Sequence, residues 1–81
     1  MARYSKQSQL EPDDVLRRAE DFFGTRGLGL KVVERNACCL SFEGGGGHVT
    51  VAAARCEPDH AEVDLETREW DYQVKKFMGE I

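Results

Sequence analysis

Residues 37–55 read ACCLSFEGGGGHVTVAAAR, two alternating segments on either side of four consecutive glycines. In the first segment Cys38, Leu40 and Phe42 share a face, and in the second Val49, Val51 and Ala53 do. Strand side chains alternate with period two, so each segment is a strand with one apolar side. Closing a hairpin over Gly44 to Gly47 sets Phe42 opposite Val49 and Leu40 opposite Val51, apolar against apolar. The same register sets Cys39 opposite Ala52 on the other side of the sheet.

Outward from this hairpin the pattern continues in both directions. Upstream, Leu28 to Glu34 alternates, with Leu28, Leu30 and Val32 on one side. A short connection over Glu34-Arg35-Asn36 keeps Val32 level with Cys38, with Asn36 taking the left-handed position. Downstream, Cys56 to His60 is turn chemistry, and Ala61 to Thr67 alternates cleanly, Ala61, Val63 and Leu65 against Glu62, Asp64 and Glu66. Four strands are therefore expected.

Two amphipathic helices flank them. From Pro12, the residues Val15, Leu16, Ala19, Phe22 and Phe23 recur on one helical face, with Asp13 and Asp14 at the positive end of the dipole and Gly24 as a left-handed stop. After Thr67, read as an N-cap, Trp70, Val74, Phe77 and Met78 recur before Gly79. Residues 1–10 carry no clear periodicity and read as a flexible tail or an edge segment, which leaves 11–81 as a single α+β domain. The expected fold is a two-layer sandwich. A four-stranded antiparallel meander carries an N-terminal and a C-terminal helix on one face, in the order αββββα. Its core would be Val15, Leu16, Ala19, Phe22, Phe23, Leu30, Val32, Leu40, Phe42, Val49, Val51, Val63, Leu65, Trp70, Val74 and Phe77. Trp70→Ala should then cost about 3 to 5 kcal/mol if the ring is buried. The half made of strands followed by a C-terminal helix resembles helix-grip ligand-binding domains in arrangement only, because this chain lacks the strands that enclose their cavity.

Composition narrows the function classes. The chain has 81 residues, 41% of them hydrophobic and 32% charged, enough for one small core and no second one. Its longest apolar run, Val49 to Ala54, is interrupted by Thr50 and is far shorter than the roughly 20 residues that span a bilayer. The polar stretch from Met1 to Gln9 is no secretory signal, so a cytoplasmic location is expected. Eleven basic residues stand against fifteen acidic ones, a net charge of -4, and the cations are scattered, which disfavours nucleic acid. Cys38, Cys39 and Cys56 are odd in number, and strand neighbours point to opposite faces, so unbridged thiols are the simpler account.

No string in the sequence specifies a chemistry. The glycine run could cradle phosphate only if a helix N-terminus followed it, and a strand follows instead; a hairpin loop is the stronger reading. Gly27-Leu28-Gly29 enters a strand rather than leaving one. The cysteines with His48 and His60 lack zinc-site spacing, and no Cys or Ser stands beside a base held by a third group. The expectation is a non-enzymatic protein with no catalytic residues, no metal and no cofactor. Glu62, Asp64 and Glu66 read as a charged edge strand that deters sheet-to-sheet aggregation.

The outer sheet face is the anomaly. It would show Cys39, Ser41, Thr50 and Ala52, with Gly29, Lys31, Val33, Ala37 and Ala54 around them, small and only mildly polar residues where a water-facing sheet favours larger polar ones. A second copy of the chain, another protein, or the N-terminal segment with Tyr4 and Leu10 could cover it. The leading expectation is a protein-interaction module, homodimeric through this face, with Cys39, Ser41, Thr50 and Ala52 as candidate interface. Its partner is itself or another protein, with neither nucleic acid nor membrane. The alternative is a small-ligand-binding domain with a pocket between helices and sheet lined by Phe22, Phe23, Trp70 and Phe77.

Overall fold

The glycine run closes a two-residue turn. Gly45 and Gly46 have φ of 59° and 82°, as a type I′ hairpin requires at both central positions. This turn joins two strands, Cys39–Gly44 and Gly47–Glu57, in the expected register: Phe42 pairs with Val49, Leu40 with Val51 and Cys39 with Ala52. A computed structural model of the protein describes residues 2–24, 27–35, 38–57 and 60–81, with backbone only for 55–57 and 60. The elements in order are β1 (Ala2–Ser8), α1 (Pro12–Phe23), β2 (Lys31–Arg35), β3 (Cys39–Gly44), β4 (Gly47–Glu57), β5 (His60–Arg68) and α2 (Asp71–Met78).

The class is α+β with an antiparallel sheet, but the sheet has five strands in the order β1-β5-β4-β3-β2, where four were expected. The fifth is Ala2–Ser8, which pairs along β5 from Ala2 opposite Thr67 to Ser8 opposite Ala61. Its inward positions are Tyr4, Lys6 and Ser8, and their polar atoms end on α2 and the chain terminus. The Tyr4 hydroxyl donates to Asp71 Oδ2 at 2.8 Å, Lys6 Nζ to the Met78 carbonyl, and Ser8 Oγ to the Ile81 carbonyl at 3.0 Å. Asp71 therefore holds the Tyr4 hydroxyl above its ordinary pKa, first through this hydrogen bond. The raised pKa means that the contact is intact below the ordinary tyrosine range and is lost as pH rises through the shifted value.

The helices lie on one face of the sheet. Val15, Leu16, Ala19 and Phe23 of α1 and Val74 and Phe77 of α2 are buried against Leu40, Phe42, Val49, Val51, Val63 and Leu65. Four phenylalanines form the centre: the Phe23 ring lies 4.9 Å from Phe22, 5.6 Å from Phe42 and 5.3 Å from Phe77. Of the expected core, Phe22, Val32 and Trp70 are only partly buried, while Ala53 and Ala61 join it.

Several local expectations are corrected. Thr67 is not a helix cap: it lies inside β5, fully buried, and its Oγ1 donates to the His48 carbonyl at 2.9 Å. Gly24 is extended rather than left-handed, with φ −77° and ψ −159°; a side chain there would strike the Glu20 carbonyl, so the glycine is needed for room. Val32 pairs with Phe42, not Cys38, because β2 continues through Glu34 and Arg35, which pair with Ser41 and Leu40 instead of forming the connection; a bulge at Val33 then shifts the register by one residue. Cys38 is exposed rather than inward, and Asn36 lies outside the described residues. On the helix side of β2, Arg35 forms a bidentate pair with Glu20 at 3.0 and 2.6 Å. That hydrogen-bonded guanidinium holds the Glu20 carboxyl below its ordinary pKa. The depressed value makes the pair's contribution present above the ordinary glutamate pKa and lost as pH falls through the shifted one.

Trp70 precedes α2 and sits on the glycine turn. Its Nε1 donates to the Gly44 carbonyl at 3.0 Å, and a side chain on Gly45 would meet the indole at 2.8 Å. Half-buried in this way, Trp70→Ala should cost about 2 kcal/mol, measured by urea unfolding, rather than the 3 to 5 of full burial. The preceding Glu69 has φ 74°, the left-handed region. Glu69→Gly is expected to raise stability by about 0.5 kcal/mol, since relief of the left-handed penalty outweighs glycine's added chain entropy. Replacement that lowers the urea midpoint would show that the Glu69 side chain holds more than the backbone costs.

Candidate functional site

The face opposite the helices carries the candidate interface. Residues paired across an antiparallel sheet project to the same side, so the observed registers arrange this face in rows. One row runs Arg3, Glu66, Thr50, Ser41, Glu34 from β1 to β2, and the next runs Ser5, Asp64, Ala52, Cys39. A further row, at the Gly45–Gly46 end, runs Arg68, His48, Glu43, Lys31. The four residues Cys39, Ser41, Thr50 and Ala52 are thus contiguous on β3 and β4, all half-buried by their neighbours. Ser41 Oγ and Thr50 Oγ1 lie 3.3 Å apart and share a hydrogen bond.

Beside this small-residue floor stands the acidic column of β5. Glu62, Asp64 and Glu66 are not on an edge strand, as the sequence reading has it: β5 is paired on both sides, by β1 and β4. Their charges therefore do not protect an edge. Arg3 Nη2 and His48 Nε2 flank Glu66 at 4.0 and 3.9 Å. Next to the column is a shallow depression of about 270 Å³ lined by Cys38, Ala52, Ala53, Ala54, Glu62 and Asp64. The true edges are β1 and β2. One is a run of polar and basic residues and the other is broken by the bulge at Val33, and both features discourage strand addition.

The N-terminal segment does not cover the outer face. Tyr4 and Leu10 pack against the helix-side core instead. Arg3, Glu34, Glu43 and Arg68, which frame the face, were not singled out from sequence. The signal for Arg3, the alternation of Arg3-Ser5-Gln7 with Tyr4-Lys6-Ser8, is readable only once β1 is known to be a strand.

The four aromatic residues named for a ligand pocket are divided between the closed core, the hairpin and an open groove. Phe23 is closed in the core at 0% exposure, and Trp70 is on the hairpin. Phe22 and the edge of the nearly buried Phe77 ring border an open groove of about 310 Å³ with Arg18, Asp21 and Glu80. Among the described residues no three metal-ligating side chains gather, and no helix is long and apolar enough to cross a membrane. His60 and Cys56 have side chains outside the described residues. The chain matches no protein-family model and no curated protein.

Proposed function

We propose that the chain is a small non-enzymatic module that acts by protein contact through the outer face of its sheet, self-association being the simplest form of that contact. The observation that supports this is the one-sided architecture. Both helices lie on one face, and the N-terminal residues that could have crossed to the other serve as β1 instead. At the middle of the outward side of β3 and β4, beyond Glu43 and His48, are Cys39, Ser41, Thr50 and Ala52, a floor small enough for another sheet to approach closely. A partner able to bury it would remove water from methyl, methylene and thiol groups while finding the Ser41 and Thr50 hydroxyls already paired. We place this activity in the cytoplasm, on the odd cysteine count.

Sedimentation equilibrium tests the reading. Self-association is expected with a dissociation constant on the order of micromolar, the range of a small interface. A chain still monomeric at roughly millimolar concentration removes the self-association.

A further inference from the structure

We infer that the occupant of the outer face is a second copy of this chain, related to the first by a two-fold axis running along the central strand β4. This rests on the interaction reading above and adds the partner and its orientation.

β4 is the middle strand of five, so rotation about it lays β5 of one copy over β3 of the other and β1 over β2. Rows keep their level under this rotation. Arg3 at one flank then faces the partner copy's Glu34, and Arg68 faces the partner copy's Glu43. Because the axis is two-fold, each pairing occurs twice. The acidic column of β5 falls over the small residues of β3, with Asp64 above Cys39 and Glu66 above Ser41, and Ala52 and Thr50 sit near their own copies on the axis.

A two-fold axis in the plane of the face but perpendicular to the strands gives the opposite result. It lays β5 over β5, so that about Asp64 the three carboxylates of one column meet the three of the other. Facing like charges with partial loss of water is strongly unfavourable. Of these two orientations the charge pattern favours the axis along β4. Five strands at strand spacing and the outward residues from His48 to Ala54 cover about 20 Å each way. The two copies together would bury on the order of 1,000 Å², where specific interfaces begin.

Charge exchange tests the orientation. Glu43→Arg and Arg68→Glu are each expected to weaken self-association about tenfold by sedimentation equilibrium, because each sets two like-charged pairs across the axis. The double variant E43R/R68E re-forms both pairs inverted, and is expected to return to within about threefold of the parent. Glu34→Arg and Arg3→Glu repeat the test in the row of Thr50 and Ser41, and melting temperatures confirm that each variant is folded. If the two losses accumulate in both doubles while Ala52→Glu still dissociates the protein, the face is used but the axis is wrong. If the parent is monomeric, or Ala52→Glu leaves association unchanged, the interaction reading fails and this inference with it.

Discussion

Phe23→Ala is expected to cost about 3 to 5 kcal/mol of folding stability, the largest loss of any single truncation in this chain. The ring is 0% exposed and touches the rings of Phe22, Phe42 and Phe77, so it joins α1, α2 and the sheet at one point. Removing it takes away aromatic contacts in three directions and leaves a cavity that α1, held at its C-terminal end by the Gly24 approach to Glu20, is poorly able to close. In a domain of 81 residues, whose whole stability is on the order of 5 to 15 kcal/mol, this change alone brings unfolding close to ambient temperature. The measurement is the urea midpoint at unchanged m-value. A loss below about 1 kcal/mol would mean that the interior is loosely filled at Phe23, and would reopen the ligand-pocket alternative that the packed rings argue against.

Ala52→Glu is expected to weaken self-association by at least about a hundredfold while leaving the fold intact. Ala52 is at the centre of the outer face, opposite Asp64 on β5 and Cys39 on β3. A glutamate there extends the acidic column towards the middle of the contact, and a two-fold axis along β4 brings it beside its own copy. Within one chain the new carboxylate faces Asp64 across exposed sheet, a like-charge pair that costs less than about 1 kcal/mol. Sedimentation separates the two effects: the association constant should collapse and the melting temperature should hardly move. Unfolding instead would place Ala52 in the core, contrary to the register of β3 with β4.

The β3–β4 hairpin was legible because its two signals agree. Period-two alternation on both strands and a glycine pair at the turn fix one register, and that register alone brings Cys39, Ser41, Thr50 and Ala52 onto a common face. β1 was legible only as one of two alternatives, a flexible tail or an edge segment, since its inward positions are Tyr4, Lys6 and Ser8. Their burial depends on polar bonds to Asp71, the Met78 carbonyl and the Ile81 carbonyl, which no hydropathy pattern records. That omission propagated. Without β1, the acidic residues of β5 look like an edge, and the frame of Arg3 beside Glu66 does not exist. The β2 register failed for a different reason: Glu34 and Arg35 look like connection chemistry but continue the strand opposite Ser41 and Leu40, and the bulge at Val33 adds a one-residue shift that alternation cannot anticipate. Thr67 misled because a threonine before a helical pattern is usually a cap; here the strand continues through it, and its hydroxyl is satisfied by the neighbouring strand.

The central claim is that the outer face of the sheet is a contact surface, and amide and methyl chemical shifts followed on dilution test it most directly. From high to low concentration the account predicts shift changes confined to Cys39, Ser41, Thr50 and Ala52 and the rows they belong to, with the helix-side core unmoved. Changes centred on the Phe22 groove or on the edges β1 and β2, or no concentration dependence at any residue, would contradict it.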